Sequence, residues 1–167
     1  KGIGFLYASS MDFDSYLHGG DQEQKKRAGT ENLAAIVGMV VALKEDLNDQ
    51  VEHYQKLSAL KATFLEEIAG LDYYLNESNH QLPYVVNIGF PGQKNDLLLL
   101  RLDLEGISIS TGSACTAGIV QTSHVLEAFY GPDSPRLKES VRISLSPLNT
   151  EEELKQLAQT LKKIIGD

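Results

Sequence analysis

The last 27 residues constrain the fold more than any other part of the chain. Val141, Ile143 and Leu145 alternate with Arg142 and Ser144, the period of a strand that buries one face. Thr150 and Glu153 then stand at capping-box spacing, acidic residues crowd the turn that follows, and Lys162 and Lys163 sit near the end of the run. Leu154, Leu157, Ala158, Leu161, Ile164 and Ile165 form one apolar stripe. A one-faced strand leading into a one-striped helix requires a helix-on-sheet layer, because neither element can bury its apolar side alone.

The remaining elements fit around that layer. Gly2-Ile3-Gly4-Phe5-Leu6-Tyr7 reads as a strand, and residues 9–29 as loop. From Thr30 a helix is expected, with Leu33, Ile36, Val37, Val40 and Leu47 on one side. A second helix spans about 49–69, with Val51, Tyr54, Leu57, Leu60, Phe64 and Ile68 inward and Gly70 ending it. Strands are expected at 72–76 and 84–90. Asn95 can cap a helix through Leu104 closed by Gly106, and Ile107–Ser110 is a short strand candidate. Ser123 caps a helix that ends before Gly131. The irregular mixture predicts an α+β fold: a few antiparallel strands covered by helices.

Composition excludes several function classes. The 167 residues carry 15 Lys and Arg against 23 Asp and Glu, a net charge of −8, which disfavours a phosphate backbone or anionic membrane as the main partner. A local basic patch stays open, and Lys25-Lys26-Arg27 is one candidate. The longest apolar stretch, Leu33 to Leu43, is too short to span a bilayer. One cysteine forms no internal disulfide and fits a reducing, cytoplasmic setting; with four scattered histidines it offers no metal-ligand spacing. The chain opens on Lys1 in the middle of a strand-like run, so a longer parent protein is expected.

Three residues could carry chemistry, and each has a plainer alternative. Cys115 sits in Thr111-Gly112-Ser113-Ala114-Cys115-Thr116-Ala117-Gly118. A lone cysteine is often a small buried hydrophobe, yet this stretch has no large side chain to bury, and a thiol on a mobile loop from Thr111 to about Gln121 suits a nucleophile that swings between two places. Thr30, in Arg27-Ala28-Gly29-Thr30-Glu31-Asn32, is either an N-cap or a phosphate ligand at a helix start. Arg142 is either a solvent-facing strand residue or a planar fork for a carboxylate.

Taken together, several segments resemble the class V aminotransferases, and within them the NifS/IscS-type cysteine desulfurases. Lys1–Tyr7 is similar to the strand following the cofactor lysine in that family. His18-Gly19-Gly20-Asp21-Gln22-Glu23, continuing to Arg27–Asn32, resembles its "HGG-x-QE…R-x-GT-x-N" segment. Thr111–Thr116 resembles the active-cysteine loop, and Arg142-Ile143-Ser144-Leu145 with the terminal helix resembles the family's C-terminal end.

The resemblance implies a fold type I pyridoxal-phosphate transferase: residues 1–48 as the tail of its large domain with the linking helix, and 49–167 as its small C-terminal domain. It implies conversion of L-cysteine to L-alanine, with the sulfur held as a persulfide on Cys115. Arg142 would clamp the substrate carboxylate, and Thr30 would bind the cofactor phosphate in the partner subunit of a homodimer. Acceptors would be an iron–sulfur scaffold or a tRNA-thiolation protein, with no direct nucleic-acid or membrane contact. The Schiff-base lysine would lie just upstream of Lys1, so these residues alone are expected to be inactive and to hold no cofactor. A selenocysteine lyase, an aminotransferase and a cofactor-free dimerisation or sulfur-carrier module are the competing readings.

Overall fold

A computed structural model of the chain describes residues 2–78, 81–112 and 122–166. The chain divides into two units, Lys1–Val51 and Glu52–Asp167.

In the first unit, residues 17–29 form a folded loop. Leu17 and Arg27 pair as an isolated parallel bridge, and Ala28 N–H donates to Leu17 O at 3.2 Å. Gly29, at φ +102°, closes this loop where a side chain would be strained, and its N–H donates to Gln22 Oε1 at 3.2 Å. Helix α1, Leu33–Glu67, follows. Its first turn is capped by Asn32, whose Oδ1 accepts from Ala35 N–H at 3.2 Å, so the helix starts later than the expected Thr30. The strand expected at Gly2–Tyr7 is absent among the described residues, where Phe5, Leu6 and Tyr7 are exposed. A strand exists only when paired, and no described residue pairs with this run.

α1 is also one helix where two were expected. Between Leu47 and Val51 stand Asn48-Asp49-Gln50, without a glycine or proline. Such residues cost only a few tenths of a kcal/mol each in a helix, about 0.7 at most, too little to break it. Nor are Val51 and Tyr54 inward: both are exposed, and the buried stripe begins at Leu57 and continues through Leu60 and Phe64 to Ile68. The upstream stripe, Leu33, Val37, Val40 and Leu47, is exposed as well.

The second unit is built on a three-stranded antiparallel sheet ordered β1 (Tyr74–Leu75), β2 (Val85–Gly89), β3 (Ser140–Ser144). Its register pairs Val86 with Ile143, Asn87 with Arg142 and Ile88 with Val141. Directly opposed residues share a face. Val86, Ile88, Val141 and Ile143 therefore face one core, shared with Phe64 and Ile68, α2 (Asn95–Leu104) through Leu98 and Leu102, and α5 (Glu151–Gly166) through Leu157, Ala158 and Leu161. Asn87 and Arg142 lie on the opposite face. There Val85 and Asn87 line a pocket of about 380 Å³ together with Val125, Leu126, Phe129 and Tyr130 of α3 (His124–Tyr130).

Local chemistry follows the sequence closely at α5. Glu153 N–H donates to Thr150 Oγ1 at 3.3 Å, and Thr150 N–H to Glu153 Oε2 at 3.0 Å, a complete capping box. Ser123 caps α3 as expected, accepting from Leu126 N–H. Asn95 does not cap α2. It is the first helical residue, it is buried, and its Nδ2 donates to Leu137 O and Ser140 O, tying α2 to β3. α4 (Arg136–Glu139), a single turn behind Pro135, has no counterpart in the sequence reading.

Candidate functional site

Arg142 is positioned by a short extra strand contact. α2 ends in a Schellman turn: Ile107 N–H donates to Leu102 O at 2.9 Å and Gly106 N–H to Asp103 O at 3.0 Å, with Gly106 at φ +77°. The turn sends Ile107–Ser110 back along the free edge of β3, where the expected strand shrinks to one antiparallel bridge, Ser110 with Arg142. The bridge has both backbone bonds, Arg142 N–H to Ser110 O at 2.7 Å and Ser110 N–H to Arg142 O at 3.1 Å.

The side chains of this pair also meet. Arg142 Nε donates to Ser110 Oγ at 3.1 Å, and that hydroxyl donates to Arg142 O at 3.3 Å. With Nε occupied, the two terminal nitrogens make no hydrogen bond to a described residue and form an end-on fork, the geometry that binds a carboxylate bidentately. No carboxylate among the described residues pairs with Arg142. Asn87, Arg142 and Ser110 thus form a polar row across the face away from the core. Ser110 was not singled out in the sequence, because the register that places it opposite Arg142 is not written there.

Ser110 is followed by Thr111 and Gly112, and Cys115 lies five positions beyond it. Cys115, with the loop around it, lies outside the described residues. Downstream the description resumes at Thr122 and Ser123, immediately before α3.

Thr30 belongs to the first unit. It is exposed, stands two residues before the Asn32 cap, and its hydroxyl makes no hydrogen bond to a described residue. The plain N-cap reading of Thr30 is thereby removed. The neighbouring basic run is largely spent on its own loop. Lys26 donates to Phe13 O at 2.6 Å and lies over the Phe13 ring at 4.9 Å, and Lys25 pairs with Asp21 at 3.7 Å. Among the described residues no cluster of His, Cys, Asp and Glu could hold a metal ion, and no helix is long and apolar enough to cross a membrane.

The mixed helix-and-sheet fold of this chain is shared with known proteins. The family model "Aminotransferase class-V" matches residues 1–157, and the chain belongs to that family. IscS 1 of Bacillus subtilis (strain 168) is 43% identical over 169 residues, covering 99% of this chain and 45% of that protein. Cysteine desulfurase NifS of Azotobacter vinelandii is 34% identical, covering 99% of this chain and 42% of its own length. The solved structure of a NifS-like protein from Rickettsia africae ESF-5 superposes with a TM-score of 0.76 at 26% identity, over 92% of this chain and 40% of that one. The chain therefore spans less than half the length of the relatives it matches.

Proposed function

We infer that this chain is the C-terminal part of a cysteine desulfurase that takes sulfur from L-cysteine onto Cys115, leaving L-alanine. The observation that carries this reading is the Ser110–Arg142 pair: an oriented arginine fork at the stem of the segment that bears the chain's single cysteine. The relatives named for cysteine desulfurases support the same reading. In this reading residues 1–48 close the large domain and 49–167 form the small one.

Arg142 holds the substrate carboxylate through its two terminal nitrogens, with Ser110 keeping the guanidinium from turning. The Cys115 thiolate attacks the substrate sulfur; the S–S bond forms as the substrate's C–S bond breaks, and the carbon fragment leaves as alanine after taking up protons. The persulfide then passes to an acceptor protein, either an iron–sulfur scaffold or a tRNA-thiolation enzyme.

Pyridoxal phosphate, when bound to the whole protein, supplies the electron sink that labilises the C–S bond. Of the described residues, Thr30 fits one part of it. An exposed hydroxyl not used as a cap, between Gly29 and the start of α1, suits a phosphate oxygen. Thr30 would serve the other subunit of a homodimer.

The test is Cys115→Ala in the full-length protein. Sulfide release from cysteine should fall to background while bound cofactor is retained, because a persulfide requires a thiol. Turnover that survives the substitution would sink the reading.

A further inference from the structure

The segment carrying Cys115 has two stems. The upstream one, Ser110, is bonded to β3 by backbone and side chain. The downstream one is α3, which begins nine positions after Cys115 at His124, and among the described residues its attachment is thinner. α3 has seven residues, too few to be stable by themselves, and only Leu126 is buried. Val125 and Phe129 are exposed.

What holds its far end is an arginine between two rings. The Arg136 guanidinium lies 4.1 Å from the centre of the Tyr74 ring and 4.5 Å from that of Tyr130, the last residue of α3. Its Nη1 donates to Asn76 Oδ1 at 2.9 Å, which fixes the rotation of the plane. The stack is anchored on both sides. Tyr74 O–H donates to Glu139 Oε2 at 3.1 Å, and Glu139 Oε1 accepts from Gly92 N–H at 3.0 Å. The Tyr74 ring also covers Gly89 so closely that any Cβ there would strike it. Asn76 Nδ2 donates to Asn87 Oδ1 at 2.9 Å, and Asn87 is the cross-strand partner of Arg142. The stack is therefore continuous with the polar row that holds the arginine fork.

We propose that Arg136 is a positioning residue: stacked between Tyr74 and Tyr130, it fixes where α3 sits on the sheet and so sets the downstream end of the Cys115 segment. It touches no reacting atom. Lysine replaces it poorly, because two ring faces and one fixed amide need a planar group. The proposal rests on the desulfurase reading, since it concerns delivery of the Cys115 thiol.

The experiment uses the full-length protein and reads sulfide release from L-cysteine together with hydrogen exchange. Arg136→Ala and Tyr130→Leu should each lower kcat about 10- to 100-fold, with KM for cysteine changed less than about threefold. Arg136→Lys should recover only part of the loss, and the double variant should be little worse than either single one. Amides of α3 should exchange faster while those of α5 stay protected. Should Arg136→Ala fail to fold, Tyr130→Leu removes the same stack from the α3 side and gives the same readouts. An unchanged kcat, or a loss of kcat with α3 exchange unmoved, overturns the proposal; so does a parallel loss of kcat, KM and α5 protection, which marks general destabilisation. Cys115→Ala separates the two ideas: if its sulfide release persists, the desulfurase reading fails. If release depends on Cys115 but ignores Arg136, positioning alone fails.

Discussion

Residues 2–51 and 52–166 have comparable apolar periodicity and opposite burial. In the second stretch Phe64, Ile68, Val86, Ile88, Leu102 and Ala158 are wholly enclosed. In the first no described residue is buried, although Leu33, Val37, Val40 and Leu47 follow the same helical stripe rule. A stripe states which side of a helix is to be covered, and the covering surface is a separate matter. The second stretch supplies its own cover in a sheet and three helices. The first presents a long apolar edge of the kind that marks an interaction surface.

The sharpest way to break that comparison is a pair of truncations along α1. Phe64→Ala should cost the 167-residue chain about 3–5 kcal/mol in urea unfolding, since it empties a closed core. Val37→Ala, on the same helix at 63% exposure, should stay within about 0.5 kcal/mol. Equal losses would mean the upstream stripe is covered in solution by something, a second copy of the chain being the first to look for by sedimentation.

The next effect belongs to the two candidate ligands, one in each stretch. In the full-length protein Arg142→Ala should weaken cysteine binding by about 2–5 kcal/mol, read as a rise in KM with cofactor content unchanged. Thr30→Ala should leave KM for cysteine alone at saturating cofactor and weaken cofactor retention by about 1.5–3 kcal/mol, the range for a hydrogen bond to a charged group. If the two variants show the same phenotype, the division of roles is wrong.

Legibility in the sequence follows the same line. α5, β2, β3 and α3 could be read because their signals are local: alternation at Val141–Leu145, a capping box at Thr150–Glu153, Ser123 ahead of a short apolar run. Errors arose wherever the deciding partner is distant. Gly2–Tyr7 has strand residues but pairs with no described residue. Asn95 looked like a cap, but its amide is drawn inward by the Leu137 and Ser140 carbonyls. Asn48-Asp49-Gln50 looked like a break, yet helix continuity costs those residues little. In the candidate site, the strand alone left Arg142 open between a solvent-facing residue and a carboxylate fork, and only the family resemblance pointed to the fork, whereas Ser110 and Arg136 emerge only from register and ring stacking.

Helix caps give a smaller contrast. Thr150→Ala at the start of α5 should cost about 1 kcal/mol, because α5 is part of the closed core and its fraying is felt globally. Asn32→Ala removes the equivalent acceptor from α1, but that turn can fray without opening a core. About 0.5 kcal/mol or less is expected in global unfolding, with the loss visible instead as faster exchange at Ala35.

The smallest effect concerns the half of the box that α1 lacks. At α5 the residue three after the cap is Glu153, whose carboxylate accepts from Asn149 Nδ2 and from Thr150 N–H, both at 3.0 Å; at α1 the corresponding residue is Ala35. The Asn149 side-chain bond, and after it the Thr150 backbone bond, favour the ionised form and lower the Glu153 pKa from its ordinary 4.5. A group whose folded pKa lies below its unfolded value contributes stability that is complete above the unfolded pKa and is lost as pH falls through the folded one. The urea midpoint should therefore decline, partly on account of Glu153, as pH falls below the ordinary carboxyl value of 4.5 and through the lowered folded one. Both bonds end on the same oxygen, Oε2, so Glu153→Gln keeps an acceptor for them but cannot ionise. The difference between wild type and variant should thus be present near neutral pH and shrink on acidification, while Asn32 variants show no such trend. A difference that grows toward low pH would reverse the sign of the argument and place the stabilising proton on the carboxyl rather than off it.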